Sequence, residues 1–143
     1  MTFLASAQPV VVDASVAVGS VTDEQPAIEA LRAWSRDAVP LLAPPLLWME
    51  IANALVRGHR LSPVDVSGIL RTLRMSGIEV ADRGADGLDA ALVLAERHRL
   101  SVYDATYLWL AIDVDGELAT FDRALARAAE AEGVPLALGP AED

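Results

Sequence analysis

Short apolar runs alternate along the chain with longer segments whose apolar residues recur every three or four positions. The short runs read as buried strands and the longer ones as amphipathic helices, an order that predicts an α/β domain of β-α units around a mainly parallel sheet. Val10, Val11 and Val12 make the first strand, with Ser15 placed to cap a following turn. Ile28, Leu31 and Trp34 predict a helix over 24–38, and Leu41, Leu42 and Ala43 a second strand. Pro44 and Pro45 then open a helix whose apolar stripe is Leu47, Ile51, Ala54 and Leu55. Ser62-Pro63-Val64-Asp65 has the form of a capping box with proline at the first helical position, so a helix runs to about residue 75 and stops at Gly77. Strands follow over 78–81, 117–121 and 134–138, separated by helices over 88–98, 102–112 and 122–132. No internal repeat or low-complexity linker breaks the pattern, and residues 1–8 and 139–143 are expected to be loose ends.

At 143 residues the chain fits one domain, with a core spanning about residues 10–138. It has no cysteine, which removes disulfides, thiolate zinc sites and cysteine nucleophiles, and only two histidines, His59 and His98, both near helix ends beside arginines. No run approaches the roughly 20 apolar residues of a membrane helix, and the first residues lack the pattern of a signal peptide. The expectation is a soluble cytoplasmic protein with no membrane partner. The formal charge is −10, from 21 acids against 11 bases, and every base is arginine. Without lysine there is no P-loop, no Schiff-base chemistry, and no partner for the acidic pocket of a receiver domain. The acidic total also argues against a broad DNA-coating face, because non-specific affinity comes from phosphate neutralisation. A hydrophobic content of 53% with a mean hydropathy of +0.34 suits a surface that meets a partner.

Four acids interrupt the apolar pattern. Asp13 follows the valine run, where open α/β sheets place their ligands, although a turn aspartate would also sit there. Glu50 lies three residues after Leu47 and four before Ala54, inside the buried stripe of its helix unless it escapes at the edge. Asp104 stands three residues after Ser101, where a capping box would place it, and Asp122 lies between strand and helix, where an N-cap is favoured. A buried carboxylate without a partner is costly, so one divalent ion is the simplest common explanation for the four. Asp113 and Asp115, flanking a turn, read as solvated loop acids; Trp34, Trp48 and Trp109 read as core, the last two also suiting an interface.

The segments Val12-Asp13-Ala14-Ser15-Val16, Glu50-Ile51-Ala52-Asn53-Ala54-Leu55, Tyr103-Asp104-Ala105-Thr106-Tyr107-Leu108 and Thr120-Phe121-Asp122, in that order, resemble the motifs of PIN-domain nucleases, above all the VapC-type toxins of toxin-antitoxin pairs. The resemblance runs over about residues 10–138. It implies a three-layer α/β/α fold with a five-stranded parallel sheet, and makes Asp13, Glu50, Asp104 and Asp122 a metal-binding acidic quartet with Ser15 and Thr120 as supporting hydroxyls. It further implies Mg²⁺ or Mn²⁺ as cofactor, RNA as substrate, a cognate antitoxin as partner, and a homodimer. Many relatives carry a lysine and an aromatic after the first motif, where this chain has Ala17-Val18-Gly19-Ser20.

Hard oxygen donors suit Mg²⁺ and Mn²⁺. Such an ion would activate a water for in-line attack and stabilise charge on the scissile phosphate, with Asp13 and Asp104 as the first choices for direct ligands. Arg123, beside Asp122, is a candidate phosphate contact, although an ordinary surface arginine is the favoured reading. Other readings are a PIN nuclease of RNA processing, a non-catalytic module that keeps the fold, and a phosphotransfer domain. Against the last, Asp13-Ala14-Ser15 lacks the second aspartate of the phosphatase motif.

Overall fold

The computed structural model describes residues 8–139. Four short strands, β1 (Val10–Val12), β2 (Leu41–Ala43), β3 (Ile78–Val80) and β4 (Glu117–Ala119), form a parallel sheet in the order β3-β2-β1-β4. The helices are α1 (Ala14–Ser20), α2 (Gln25–Arg36), α3 (Leu47–Asn53), α4 (Pro63–Arg74), α5 (Gly84–His98), α6 (Val102–Asp113) and α7 (Arg123–Ala131). β1 is buried on both faces, which is why its three valines form a continuous apolar run with no polar alternation.

The expected fifth strand over 134–138 shrinks to a single parallel bridge between Leu118 and Leu136, held by Leu118 N–H donating to Pro135 O and Ala137 N–H donating to Leu118 O, both at 2.9 Å. Proline at 135 has no N–H to donate, and the chain turns after 136, so the pairing on the outer edge of β4 does not extend. The sheet among the described residues therefore has four strands, not five.

Other boundaries differ too, with β4 ending at Ala119, two residues before the expected 121, and β3 at Val80, one before 81. The residues after Asp13 form the seven-residue helix α1, so Ser15 lies inside its first turn and does not cap a separate one. α5 starts at Gly84, four residues before the expected 88, after Asp82 Oδ1 accepts the Gly84 N–H at 2.9 Å. α4 begins as expected, with Ser62 Oγ accepting the Asp65 N–H, and Gly77 follows it at φ +92°. Of the ends expected to be loose, Gln8 is tied by its side-chain amide to Asp115 O at 3.1 Å, and residues 1–7 and 140–143 lie outside the described residues.

α1 packs on α2 and α3, and α5 on α6. Leu47, Ile51 and Leu55 of the α3 stripe are fully buried. Just after Asn53 the helix widens into a π-helical turn over Ala54–Gly58, a feature that often accompanies functional sites. Trp34, Trp48 and Trp109 pack partly buried against the core, and Trp48 also carries Arg74 over its ring at 5.6 Å. No helix of the described residues is long and apolar enough to cross a membrane.

Candidate active site

The parallel sheet puts the carboxyl ends of β1 and β4 side by side, with Val12 in register with Ala119 and Asp13 N–H donating to Ala119 O at 3.0 Å. Asp13, just past β1, and Thr120, just past β4, thus become neighbours although 107 residues apart. α3 brings Glu50 to the same end, the first turn of α6 brings Asp104, and the N-terminus of α7 brings Asp122. All four carboxylates line one cavity of about 290 Å³, together with Ala14, Ser15, Val18 and Ala54. No arginine or histidine lines it.

Asp13 is 5% exposed, yet its carboxylate is well supplied with donors. Thr120 Oγ1 donates to Oδ2 at 2.6 Å and Ser15 Oγ donates to the same oxygen at 2.9 Å. Both hydroxyls are then used again as acceptors: Thr120 Oγ1 takes the Asp122 N–H and Ser15 Oγ takes the Phe121 N–H, each at 3.0 Å. Burial pushes the Asp13 carboxyl up from its ordinary range; the two hydroxyls and the Ala14 backbone oppose that rise, and the charge of Asp122 adds to it.

Glu50 is half-buried, and Tyr107 Oη donates to its Oε1 at 2.7 Å. Burial raises its pKa, the Tyr107 hydrogen bond lowers it, and the charges of Asp13 and Asp104 raise it further. Asp104 is raised in the same way, by burial first and then by the charges of Asp13 and Asp122, with Ser101 opposing. The four acids are thus in electrostatic contact with one another, as their shared cavity requires.

The capping explanation is correct for the side chain of Asp122, whereas at Asp104 the capping side chain is that of Ser101, which receives the Asp104 backbone N–H. Ser101 is the N-cap of α6 and its Oγ accepts the Asp104 N–H at 3.0 Å, while Asp122 Oδ1 accepts the Leu125 N–H at 2.9 Å. Capping the helix start and lining the cavity are compatible, because a capping carboxylate uses one oxygen and the helix N-terminus already points at the site. Asp13 stands at the N-cap position of α1, but its side chain makes no capping bond and serves the hydroxyl network instead. Asp113 and Asp115 lie outside the cavity, Asp113 being paired with Arg83 at 2.6 Å. His98 and Arg97 pair with Glu132 and hold it below the usual carboxylate range. Neither histidine lines the site.

Among the described residues no three Asp, Glu or His side chains are grouped as a ready-made ligand cage. The donor set nevertheless fits Mg²⁺ or Mn²⁺, which keep several waters and bind proteins through one or two carboxylates. Tyr107 was not singled out from the sequence. The signal was there: it lies three residues after Asp104, on the same helical face, and a buried phenol needs a partner.

The family model for the PIN domain matches residues 10–131. Among solved structures, the chain is similar to PAE2754 from Pyrobaculum aerophilum, with 28% identity and a TM-score of 0.65 over 85% of this chain and 86% of that one. A toxin-antitoxin complex from Klebsiella pneumoniae shares the fold, with 20% identity and a TM-score of 0.61 over 79% of this chain and 86% of that one. No curated protein sequence matches the chain.

Proposed function

From the premise that the chain belongs to the PIN-domain family, we propose that it is a metal-dependent endoribonuclease and the toxin of a toxin-antitoxin pair, working as one nuclease domain in the cytoplasm. The observation that carries this reading is the convergence of Asp13, Glu50, Asp104 and Asp122 on one cavity. Asp13 and Asp104 would hold Mg²⁺ or Mn²⁺ directly, and Glu50 and Asp122 would complete the site, at a second ion or by orienting water. When bound, the cation supplies the activation of water and the charge stabilisation at the scissile phosphate that hydrolysis needs.

The chain's own residues do the rest. Thr120 and Ser15 hold Asp13 by the same oxygen, which keeps a buried carboxylate oriented and opposes the rise that burial imposes on it. Asp122 is fixed by the cap it makes on α7, so its position is set by the helix. Burial first, and then the charges of neighbouring acids, raise the carboxyls of Asp13, Glu50 and Asp104, and positive charge arriving in the cavity would offset both. The Klebsiella neighbour, a toxin-antitoxin complex, supports an antitoxin as partner. A net charge of −10 suits a basic, partly disordered partner segment, and a homodimer is the proposed assembly.

The test is cleavage of a single-stranded RNA by the purified protein with Mg²⁺ or Mn²⁺, beside Asp13→Asn and Asp104→Asn. The parent should cleave only with metal and arrest growth on expression, and neither variant should do either while keeping the parent's circular dichroism. Variants as active as the parent would remove the assigned site. A folded parent that never cleaves would mark the chain as a binding module.

A further inference from the structure

The α6 helix contributes to the cavity twice. Asp104 lines it directly, and one turn later Tyr107, which is fully buried, reaches across to Glu50 of α3. The phenol donates to Oε1 at 2.7 Å, and the other carboxylate oxygen, Oε2, has no hydrogen-bond partner among the described residues. A phenol keeps its proton at neutral pH, and here it directs that proton at the carboxylate. Oε1 of Glu50 is therefore committed to the protein.

We propose that, of the two roles open to Glu50, it takes that of a metal ligand, and that Tyr107 is a positioning residue that makes it a one-oxygen donor and thereby sets the preference of the site for small six-coordinate ions over Ca²⁺. The inference rests on the metal-site reading above. Its chemistry follows from the coordination habits of the ions: Mg²⁺ demands near-octahedral geometry with single-oxygen ligands and retained waters, whereas Ca²⁺ takes six to eight oxygens and favours bidentate carboxylates. A phenol bonded to one oxygen of Glu50 uses one of that oxygen's two lone pairs and fixes the plane of the carboxylate, which disfavours the turn that would bring both oxygens onto one ion. It does so from the core side, where the ring is held by packing and loses little on metal binding.

The test is isothermal titration of the metal-free protein with MnCl₂ and with CaCl₂, without RNA, for the parent, Tyr107→Phe, Glu50→Gln and the double variant. Tyr107→Phe should weaken Mn²⁺ binding by about 10-fold, the range for loss of a group that orients a ligand, and should shift the Mn²⁺ to Ca²⁺ affinity ratio toward Ca²⁺. In the Glu50→Gln background the same change should have no further effect on that ratio, since the two residues act as one unit. A ratio that Tyr107→Phe leaves unchanged, or an equal shift in both backgrounds, overturns the proposal. So does a Mn²⁺-bound crystal structure of the parent with Glu50 bidentate on the ion, a measurement that needs no variant to fold. If the parent binds neither ion, the metal-site reading fails and takes this inference with it; if the parent binds Mn²⁺ and only the variant arms disagree, the role of Tyr107 alone is lost.

Discussion

Thr120 Oγ1 donates a 2.6 Å hydrogen bond to Oδ2 of Asp13, joining the ends of β1 and β4 at the floor of the acidic cavity. The same hydroxyl accepts the Asp122 N–H, so one side chain orients a buried acid and anchors the start of α7. Ser15 repeats the arrangement with Asp13 and Phe121.

Thr120→Val keeps the shape and removes both bonds. It should cost about 1–3 kcal/mol at pH 7, the range for a buried polar group left without its partner, read from urea denaturation. Thr120→Ser should recover most of the loss. Because the donor favours the ionised form of Asp13, the cost of the valine should shrink on going from pH 7 to pH 4, as pH falls through the raised value of the folded carboxyl. An equal cost at both pH values would mean that the hydroxyl serves only the Asp122 amide.

The pH dependence of the metal-free protein has an unusual sign at this site. Asp13, Glu50 and Asp104 are all raised, so the folded state binds protons that the unfolded state releases. Their contribution is fully present below the unfolded values near pH 4 and is lost as pH climbs through the raised folded values. Glu132 acts oppositely, its contribution being present above the unfolded value and lost as pH falls through the lowered one. Chemical denaturation from pH 4 upward should therefore show an apo parent losing stability more steeply than Asp13→Asn. Identical slopes would show that Asp13 is not raised in the folded chain.

Capping and metal binding can be separated at Asp104 and Asp122. Asp122→Ala removes the bond from Leu125 N–H and should lower stability by about 0.5–2 kcal/mol without metal. In Asp104→Ala the Ser101 cap remains, since it receives the backbone N–H, and relief of repulsion should leave the apo protein as stable as the parent or more so. Mn²⁺ at a hundred times its dissociation constant should stabilise the parent by about 2.7 kcal/mol, and Asp104→Ala should lose that gain. If melting shows no response of the parent to Mn²⁺, Asp122 is a cap and nothing more and Asp104 holds no metal.

Gly116 tests the β1–β4 junction directly. A Cβ there would stand 2.5 Å from Pro9 O, the oxygen that accepts the Glu117 N–H where the two strands begin to pair. Gly116→Ala should destabilise the protein by roughly 1–3 kcal/mol, as overpacking does, and should disturb the acids at the far end of the same strands. Gly58→Ala meets nothing within 4 Å and should be neutral or slightly stabilising. Equal melting temperatures for Gly116→Ala and the parent would contradict the close approach.

By itself the sequence determined what depends on neighbours along the chain. The valine run at 10–12 and Leu41–Ala43 are strands to the residue, the Ser62 and Ser101 caps start their helices where the pattern places them, and the four acids stand at the strand ends and helix starts read from it. These are local matters of periodicity, proline and capping chemistry, legible within a turn or two. The tertiary structure decided what depends on residues a hundred positions away. It set the strand order that puts Asp13 beside Thr120, and it reduced the fifth strand to one bridge because an edge segment with proline has too few donors to extend a ladder. It also chose Tyr107 as the partner of Glu50 across two helices. Short motifs carry the identity of a donor or an acid, but which oxygen meets which hydroxyl is fixed by how the sheet and helices pack, and that geometry is a property of the whole core.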